Sequence, residues 1–386
     1  MHRISDEQRR TRLGRRHLLA PSVRADSPVA AADAVVALHA TDAATVFLAA
    51  CARLTAPSVA AVERSLYEDV ALVRLLSMRH TLFAISAELA PYVDASTARS
   101  IAVKERRTLV SHLAEDSNRL DETWLAEAEE AVLAALAMRG SATGSQLSAD
   151  VPALKTKITI FPGKKYETVQ GVATRVIRLL AADCRIRRDR PRGSWTSSQF
   201  RWTASDPWPA LPVAEARAEI ARRWLLSYGP ATEADLKWWT GWTLGSVRKA
   251  LADVGAEEVR LDEGTGYVAP GDTAPEPPVE PWAALLPALD PSAMAWDDRG
   301  FHFTADHRAE LFDRAGNIGP TVWWNGQIIG GWAQRSDGEI VWRLLADAGG
   351  EATAAIEAQA SRLRSWVGEA RITPRFRTPM ERELTA

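Results

Sequence analysis

Cysteine is nearly absent. Cys51 and Cys184 are the only two in 386 residues, and they stand far apart without a CxxC spacing, which argues against a disulfide framework or a cysteine zinc site. Long apolar runs are also missing: nothing approaches the roughly 20 residues that a membrane-spanning helix requires. The first residues, "MHRISDEQRRTRLGRRHLLAPSV", are charged and lack the apolar core of a secretory signal, so a cytoplasmic location is expected. No Walker lysine follows "GSATGS", and no G-x-S-x-G elbow occurs. His302 and His307, with Asp306 between them, lack a third ligand at metal spacing and read as a surface pair. No metal and no cofactor is expected.

What is present is an ordinary globular composition, 46% hydrophobic and 25% charged, on a chain too long for one hydrophobic core, so several folding units are expected. The net charge of −2 conceals a strong polarity. Between Lys155 and Arg201 there are twelve Lys or Arg against Glu167, Asp183 and Asp189, a local balance of +9 that leaves −11 for the rest of the chain. Such a segment suits a polyanion, because cationic side chains near phosphates release condensed counterions. The alternative is a solvated basic face.

The apolar spacing divides the chain into successive blocks. Residues 5–19, 27–38, 43–54 and 58–67 read as helices, and "VALVRLLSMRHTLFAI" (70–85) alternates as a strand pair. Helices resume to about residue 115. A second block opens with the helix "DETWLAEAEEAVLAALAMRG", stopped by Gly140. It continues with a short helix at "GSQLSADV", a basic loop "KTKITIFPGKKYE", a helix "TVQGVATRVIRLLAAD", and a strand, basic tip and strand over 184–203. A third block repeats the order in smaller form: "VAEARAEIARRWLLSYG", then "TEADLKWWTG" with Thr232 as N-cap, then "TLGSVRKALADVG" and the hairpin "AEEVRLDEGTGYVAPG". Helix, helix, helix, hairpin is the order of a winged helix. "APEPPVEP" (274–281) reads as a linker. Beyond it the chain is strand-rich, and Asn325-Gly326 between "TVWW" and "QIIGGW" is the strongest hairpin signal, since a two-residue type I′ turn needs positive φ at both positions. These strands point to a small barrel, followed by a helix over "EATAAIEAQASRLRSWVGE" and a strand-like tail.

Three such units followed by "LLPALDPSAMAWDDR" and "PTVWWNGQIIGGW" resemble the bacterial AlkZ/YcaQ family of winged-helix DNA glycosylases over nearly the whole chain. The resemblance implies an α+β, mainly α fold: three tandem winged-helix units (1–120, 121–208 and 209–273) forming a concave DNA-binding surface, and a C-terminal small β-barrel (282–386). It implies excision of bulky or N7-alkylated purines from double-stranded DNA by a nucleoid-associated monomer, in repair or in self-resistance to a genotoxin. The family's catalytic motif, Gln-x-Gln or Gln-x-Asp, lies in a segment similar to "LQAQD". Here that segment is "LHATD", which aligns His39 and Thr41 with the motif positions and keeps the following aspartate as Asp42.

The chemistry tolerates that exchange. An N7-alkylated purine already carries the positive charge that makes it a leaving group, so the protein mainly has to orient a water and stabilise an oxocarbenium-like sugar. A neutral imidazole at His39 can accept the water's proton, Thr41 can hold that water, and Asp42 either stabilises the sugar cation or caps the helix beginning "AATVFLAA". For His39 the plainer reading is a histidine hydrogen-bonded at a helix end. DNA contacts are expected from Lys164, Lys165, Arg185, Arg187, Arg188, Arg190 and Arg192, from Arg79 on the first hairpin, and from Trp324 and Asn325 in the "NG" hairpin, for which tryptophans packed in a core are the alternative. The rival function is a non-catalytic winged-helix DNA-binding protein, a regulator or lesion binder.

Overall fold

A computed structural model describes residues 1–116 and 120–386. Helix outweighs strand, 47% against 17%, and the strands form small antiparallel sheets, so the architecture is mixed with helix predominant.

Helix α1 (Asp6–Arg16) starts at a capping box in which the Ser5 hydroxyl accepts from the Gln8 amide. A short helix, Pro28–Asp33, follows. The helix expected over 27–38 ends there: Val36 has φ 59°, and Leu38–His39 is strand β1, paired antiparallel to β3. Strands β2 (Leu72–Ser77) and β3 (Thr81–Ser86) form the expected hairpin, giving a three-stranded sheet in the order β1-β3-β2. Its turn is strained, because Arg79 and His80 hold φ of 54° and 56° without glycine.

Helix α2 (Ala43–Ala52) leads away from β1. Every residue from Ala43 to Cys51 is buried, as expected for a helix apolar on all sides. At its far end Arg53 meets Asp290 in a bidentate pair, Nη1 to Oδ2 at 2.9 Å and Nη2 to Oδ1 at 2.7 Å, with both side chains 0% exposed. Arg53 also donates to the Ala49 carbonyl and to Ser292 Oγ. Asp290 further caps the turn beginning at Pro291 by accepting from the Ser292 amide. The "LDP" segment is therefore the anchor of α2.

Helix α3 (Arg99–Glu115) precedes the second block: α4 (Glu122–Arg139), β4 (Ala142–Thr143), α5 (Gly144–Asp150), β5 (Lys157–Ile160), β6 (Thr168–Gly171), α6 (Ala173–Ala182), β7 (Ile186–Asp189) and β8 (Arg201–Ala204). Gly140 stops α4 at φ 71°, as its position implied. The basic loop is itself a hairpin, with β5 paired to β6, so the next helix begins at Ala173 and "TVQG" is strand. Strands β7 and β8 pair with β4 in the order β4-β8-β7. The residues from Leu109 to Ile186 close a hydrophobic core of their own.

The third block keeps the expected order: α7 (Val213–Tyr228), α8 (Glu233–Thr240), α9 (Leu244–Val254), β9 (Glu257–Arg260) and β10 (Thr265–Val268). Thr232 caps α8, accepting from the Asp235 amide. Its core is continuous with that of the N-terminal region and the C-terminal strands, so one large cluster runs from Leu13 to Met380.

The C-terminal strands, β11 (Ala283–Leu286), β12 (Thr321–Trp324), β13 (Gln327–Gln334) and β14 (Ile340–Leu344), lie in the order β11-β12-β13-β14. Among the described residues β11 and β14 do not pair, so the sheet is open where a barrel was expected. Helix α10 (Gly349–Val367) packs against both of these strands, covering sheet that closure would otherwise bury. Asn325 and Gly326 take φ of 46° and 85°, the turn their sequence implied. The tail is not strand; it ends in a short helix, Pro379–Leu384. No helix among the described residues is long and apolar enough to cross a membrane.

Candidate functional site

Residues 39–42 connect β1 to α2. The Ala40 amide donates to the Leu82 carbonyl at 2.8 Å, extending the ladder one residue past His39, and the His39 ring meets Phe83 edge-on at 5.5 Å. Only 7% of His39 is exposed. Burial, with the nearby charge of Arg79, pushes its pKa down to about 4, so the ring is neutral at physiological pH. Its Nδ1 accepts from the Thr41 amide at 3.5 Å, a long contact that only weakly favours the proton on Nε2. Nε2 finds no partner among the described residues and is not sealed from solvent. His39 is not among the residues that line the cavity beside Thr41.

Asp42 is fully engaged by backbone. Its Oδ1 accepts from the Ala44 amide at 3.0 Å, making it the N-cap of α2, and its Oδ2 accepts from the Arg375 amide at 2.9 Å. The cap reading is thus the geometry found, and the same carboxylate ties the C-terminal tail to the start of α2. Between these two residues Thr41 is half-buried and opens into a cavity of about 400 Å³ that lies between β2 and the α6–β7 segment.

That cavity has one sign. Arg74, His80, Arg178, Arg187 and Arg188 line it together with Thr41, Thr174 and Trp202, and none of its lining residues is acidic. Arg188 stacks on Phe200, 3.8 Å from the ring centroid, with Trp202 at 5.7 Å. Burial and the charges of Arg74 and Arg375 lower its pKa to about 10, which leaves it protonated. Arg74 sits over Tyr67 at 5.4 Å.

The other basic candidates disperse. Arg185 pairs with Glu130 at 2.6 Å and Arg190 with Glu63 at 2.5 Å and Glu68 at 2.9 Å, so both are neutralised where they stand. Arg192 is exposed beyond β7, and Lys164 and Lys165 are exposed on the β5–β6 turn. Arg79 folds inward, 3.8 Å over Trp238, where it adjusts His39 and does not face outward. Trp324 is half-buried, and Asn325 is a clamp: its Oδ1 accepts from the Trp282 amide at 2.8 Å and its own amide donates to the Trp282 carbonyl at 3.0 Å. A Cβ on Gly326 would fall 2.6 Å from Arg10 Cβ, so α1 covers this turn. The base of the hairpin is packed, while Asn325 itself is exposed at its tip. His302 is likewise no surface residue; it is 1% exposed and stacked 5.5 Å from Trp323.

Arg74, Arg178 and Trp202 went unremarked in the sequence. Arg74 had a faint signal, being a charged residue at a position of "LVRLLS" that shares a strand face with Leu72 and Leu76. Trp202 had none.

Over residues 32–366 the sequence matches the family model described as DNA glycosylase AlkZ-like. No curated protein sequence matches the chain. Among solved structures, the DNA glycosylase AlkZ of Streptomyces sahachiroi aligns with a TM-score of 0.70 over 96% of this chain and 98% of that one, at 20% identity. At that identity the likeness is one of fold.

Proposed function

Because the chain belongs to the AlkZ-like DNA glycosylase family, we propose that it hydrolyses the N-glycosidic bond of an alkylated purine in double-stranded DNA, with His39 and Thr41 holding the attacking water. Membership makes it a hydrolase of DNA repair by base excision. The N7-alkyl or bulky adduct, the residues and a role in self-resistance to a genotoxin are our reading. The observation that carries it is the position of Thr41 at a cavity lined by arginines and free of carboxylates, two residues from a neutral histidine.

The reaction follows from those groups. Water adds to C1′ of the deoxyribose while the bond from C1′ to the purine nitrogen breaks, and its electron pair neutralises the cationic purine. No acid is needed for such a leaving group. The water's proton passes to Nε2 of His39 and then to solvent, which requires the Nδ1–H tautomer; giving up a 3.5 Å contact to reach it costs little. General base assistance of this kind contributes about 10² to 10⁴ in rate. Thr41 Oγ1 orients the water, and Asp42 is a positioning residue that fixes the Thr41 backbone through the α2 cap.

We read the helix-helix-helix-hairpin orders as winged-helix units over 1–120, 121–208 and 209–273, with 282–386 bracing the first, in a monomer that acts wherever the cell keeps its DNA. Of the expected contacts, Lys164, Lys165, Arg187, Arg188 and Arg192 form no ion pair among the described residues and are free to meet phosphate. Arg185 and Arg190 would first have to leave their glutamates.

The test is incubation with duplexes carrying one N7-methylguanine or one bulky N7 adduct, scoring abasic sites. Wild-type protein is expected to produce them. His39→Ala and Thr41→Val are expected to lose about 10² or more in rate with duplex affinity unchanged. A folded wild type that binds both duplexes and releases neither base overturns the reading in favour of a lesion binder.

A further inference from the structure

The chain spends its acids unevenly on its arginines. Arg185 and Arg190 each meet two glutamates, whereas Arg74, Arg187 and Arg188 form no ion pair among the described residues although all three line one cavity. Nη1 of Arg187 and Nη1 of Arg188 are buried without any acceptor. Both side chains are otherwise half-buried, so each presents the rest of an uncompensated fork to the cavity, which suits a ligand that supplies the missing negative charge. Aromatic rings, not carboxylates, hold two of the three cations in place: Phe200 and Trp202 for Arg188, Tyr67 for Arg74. A ring fixes a guanidinium without quenching its charge. Arg190 lies over the same Tyr67 at 5.4 Å, yet it is the one that Glu63 and Glu68 neutralise, and of the cavity's other arginines only Arg178 has an acid, Glu105 at 3.3 Å.

Resting on the glycosylase reading, we propose that Arg74, Arg187 and Arg188 form a phosphate clamp that draws the sugar-phosphate of the target nucleotide in beside Thr41 and keeps hold of it once the base has left. A guanidinium fork matches phosphate oxygens in pairs. The cavity, about 400 Å³, falls within the range of small-ligand sites, about 300 to 1,000 Å³. Phosphate is common to the lesion strand and the abasic product, so a site that grips phosphate does not discriminate between them. The abasic strand therefore stays shielded in the cavity until a reaction that cleaves abasic phosphodiesters takes it over.

Binding to a duplex with a single tetrahydrofuran abasic analogue tests this in the full chain, since that duplex contains no excisable base at the site. Wild type is expected to bind it about tenfold more tightly than undamaged duplex, and the double variant Arg187→Gln/Arg188→Gln to lose about that factor, the worth of one or two charge-assisted hydrogen bonds. Arg185→Gln/Glu130→Gln, which removes an ion pair outside the cavity without changing the net charge, is expected to change the affinity less than twofold. Inorganic pyrophosphate should raise the wild-type melting temperature and leave that of the first double variant unmoved. A clamp variant that melts like wild type and binds the abasic duplex equally well overturns the proposal, as does a control pair that loses as much as the clamp pair. Should the double variant fold poorly, Arg74→Gln takes its place, and failure of millimolar pyrophosphate to compete with the abasic duplex for wild type overturns the clamp without any variant. If wild type releases no base but the clamp variant loses abasic-duplex affinity, the clamp stands and the glycosylase reading falls. Base release by wild type with unchanged affinity in the variant gives the reverse.

Discussion

Lowering the pH from 7 to 5 separates a His39 in its native surroundings from an ordinary imidazole. Burial and Arg79 depress its pKa to about 4, so about 0.9 of the ring is still neutral, and able to accept a proton, at pH 5. An imidazole at the ordinary 6.5 would be about 0.76 neutral at pH 7 and about 0.03 at pH 5. The second-order rate constant for base release, which reports the free enzyme, should therefore fall by about a tenth between these pH values, not by about 25-fold. Single-turnover release from an N7-methylguanine duplex below saturation, with uncatalysed depurination subtracted at each pH, measures this. Arg79→Met removes the second cause of the depression and leaves the first, so the acid limb should move toward neutrality without reaching 6.5. A 25-fold fall in the wild type, or an Arg79→Met limb displaced to lower pH, refutes the assignment of His39 as the proton acceptor.

Other consequences concern stability and positioning. Asp290→Ala leaves Arg53 charged and unpaired at 0% exposure and should cost about 3 to 5 kcal/mol in urea unfolding, more than losing both partners together. Asp42→Ala removes the α2 cap, about 1 kcal/mol, and should lower kcat with little change in KM, while Asp42→Asn, which also caps, recovers most of both. Gly326→Ala meets Arg10 at 2.6 Å with φ at 85° and should lower the urea midpoint by an amount equal to about 1 to 3 kcal/mol. His17 and His39, depressed by burial to about 3 and about 4, stay neutral in the fold while the unfolded chain protonates them below 6.5. Their contribution is intact above 6.5 and lost as pH falls, about 2 kcal/mol each by pH 5, and the double variant His17→Gln/His39→Gln should flatten that stretch of the urea-midpoint profile.

The sequence made some of this legible and hid the rest for physical reasons. Local chemistry was readable where one residue decides: Gly140 stopping α4, Thr232 capping α8, Asn325-Gly326 turning the β12–β13 hairpin. Leu38 and His39 were not readable as strand, because a short apolar run such as "VVALH" satisfies a buried helix and a buried strand equally. The β5–β6 ladder escaped because β6 is exposed along its whole length, so neither face carries an alternating pattern. At the site, the resemblance singled out His39 and Thr41, but charge along the chain could not tell free arginines from spent ones. That distinction lies in partners such as Glu63 and Glu68, which only folding brings to Arg190 across more than 120 residues.

Helix α2 has a bearing on how far this protein can be taken apart. One end carries the residues we assign to the reaction and the other is bolted to Asp290 through a charge pair that water does not reach. A helix with no solvent face cannot be trimmed, moved or regrafted without exposing apolar surface on every side. Removing residues 282–386 would therefore yield no smaller catalyst. It would strip Arg53 of its counterion and the carboxylate of Asp42 of the Arg375 amide in one cut, so a recombinant series should vary the basic second block and leave the two ends of the chain joined.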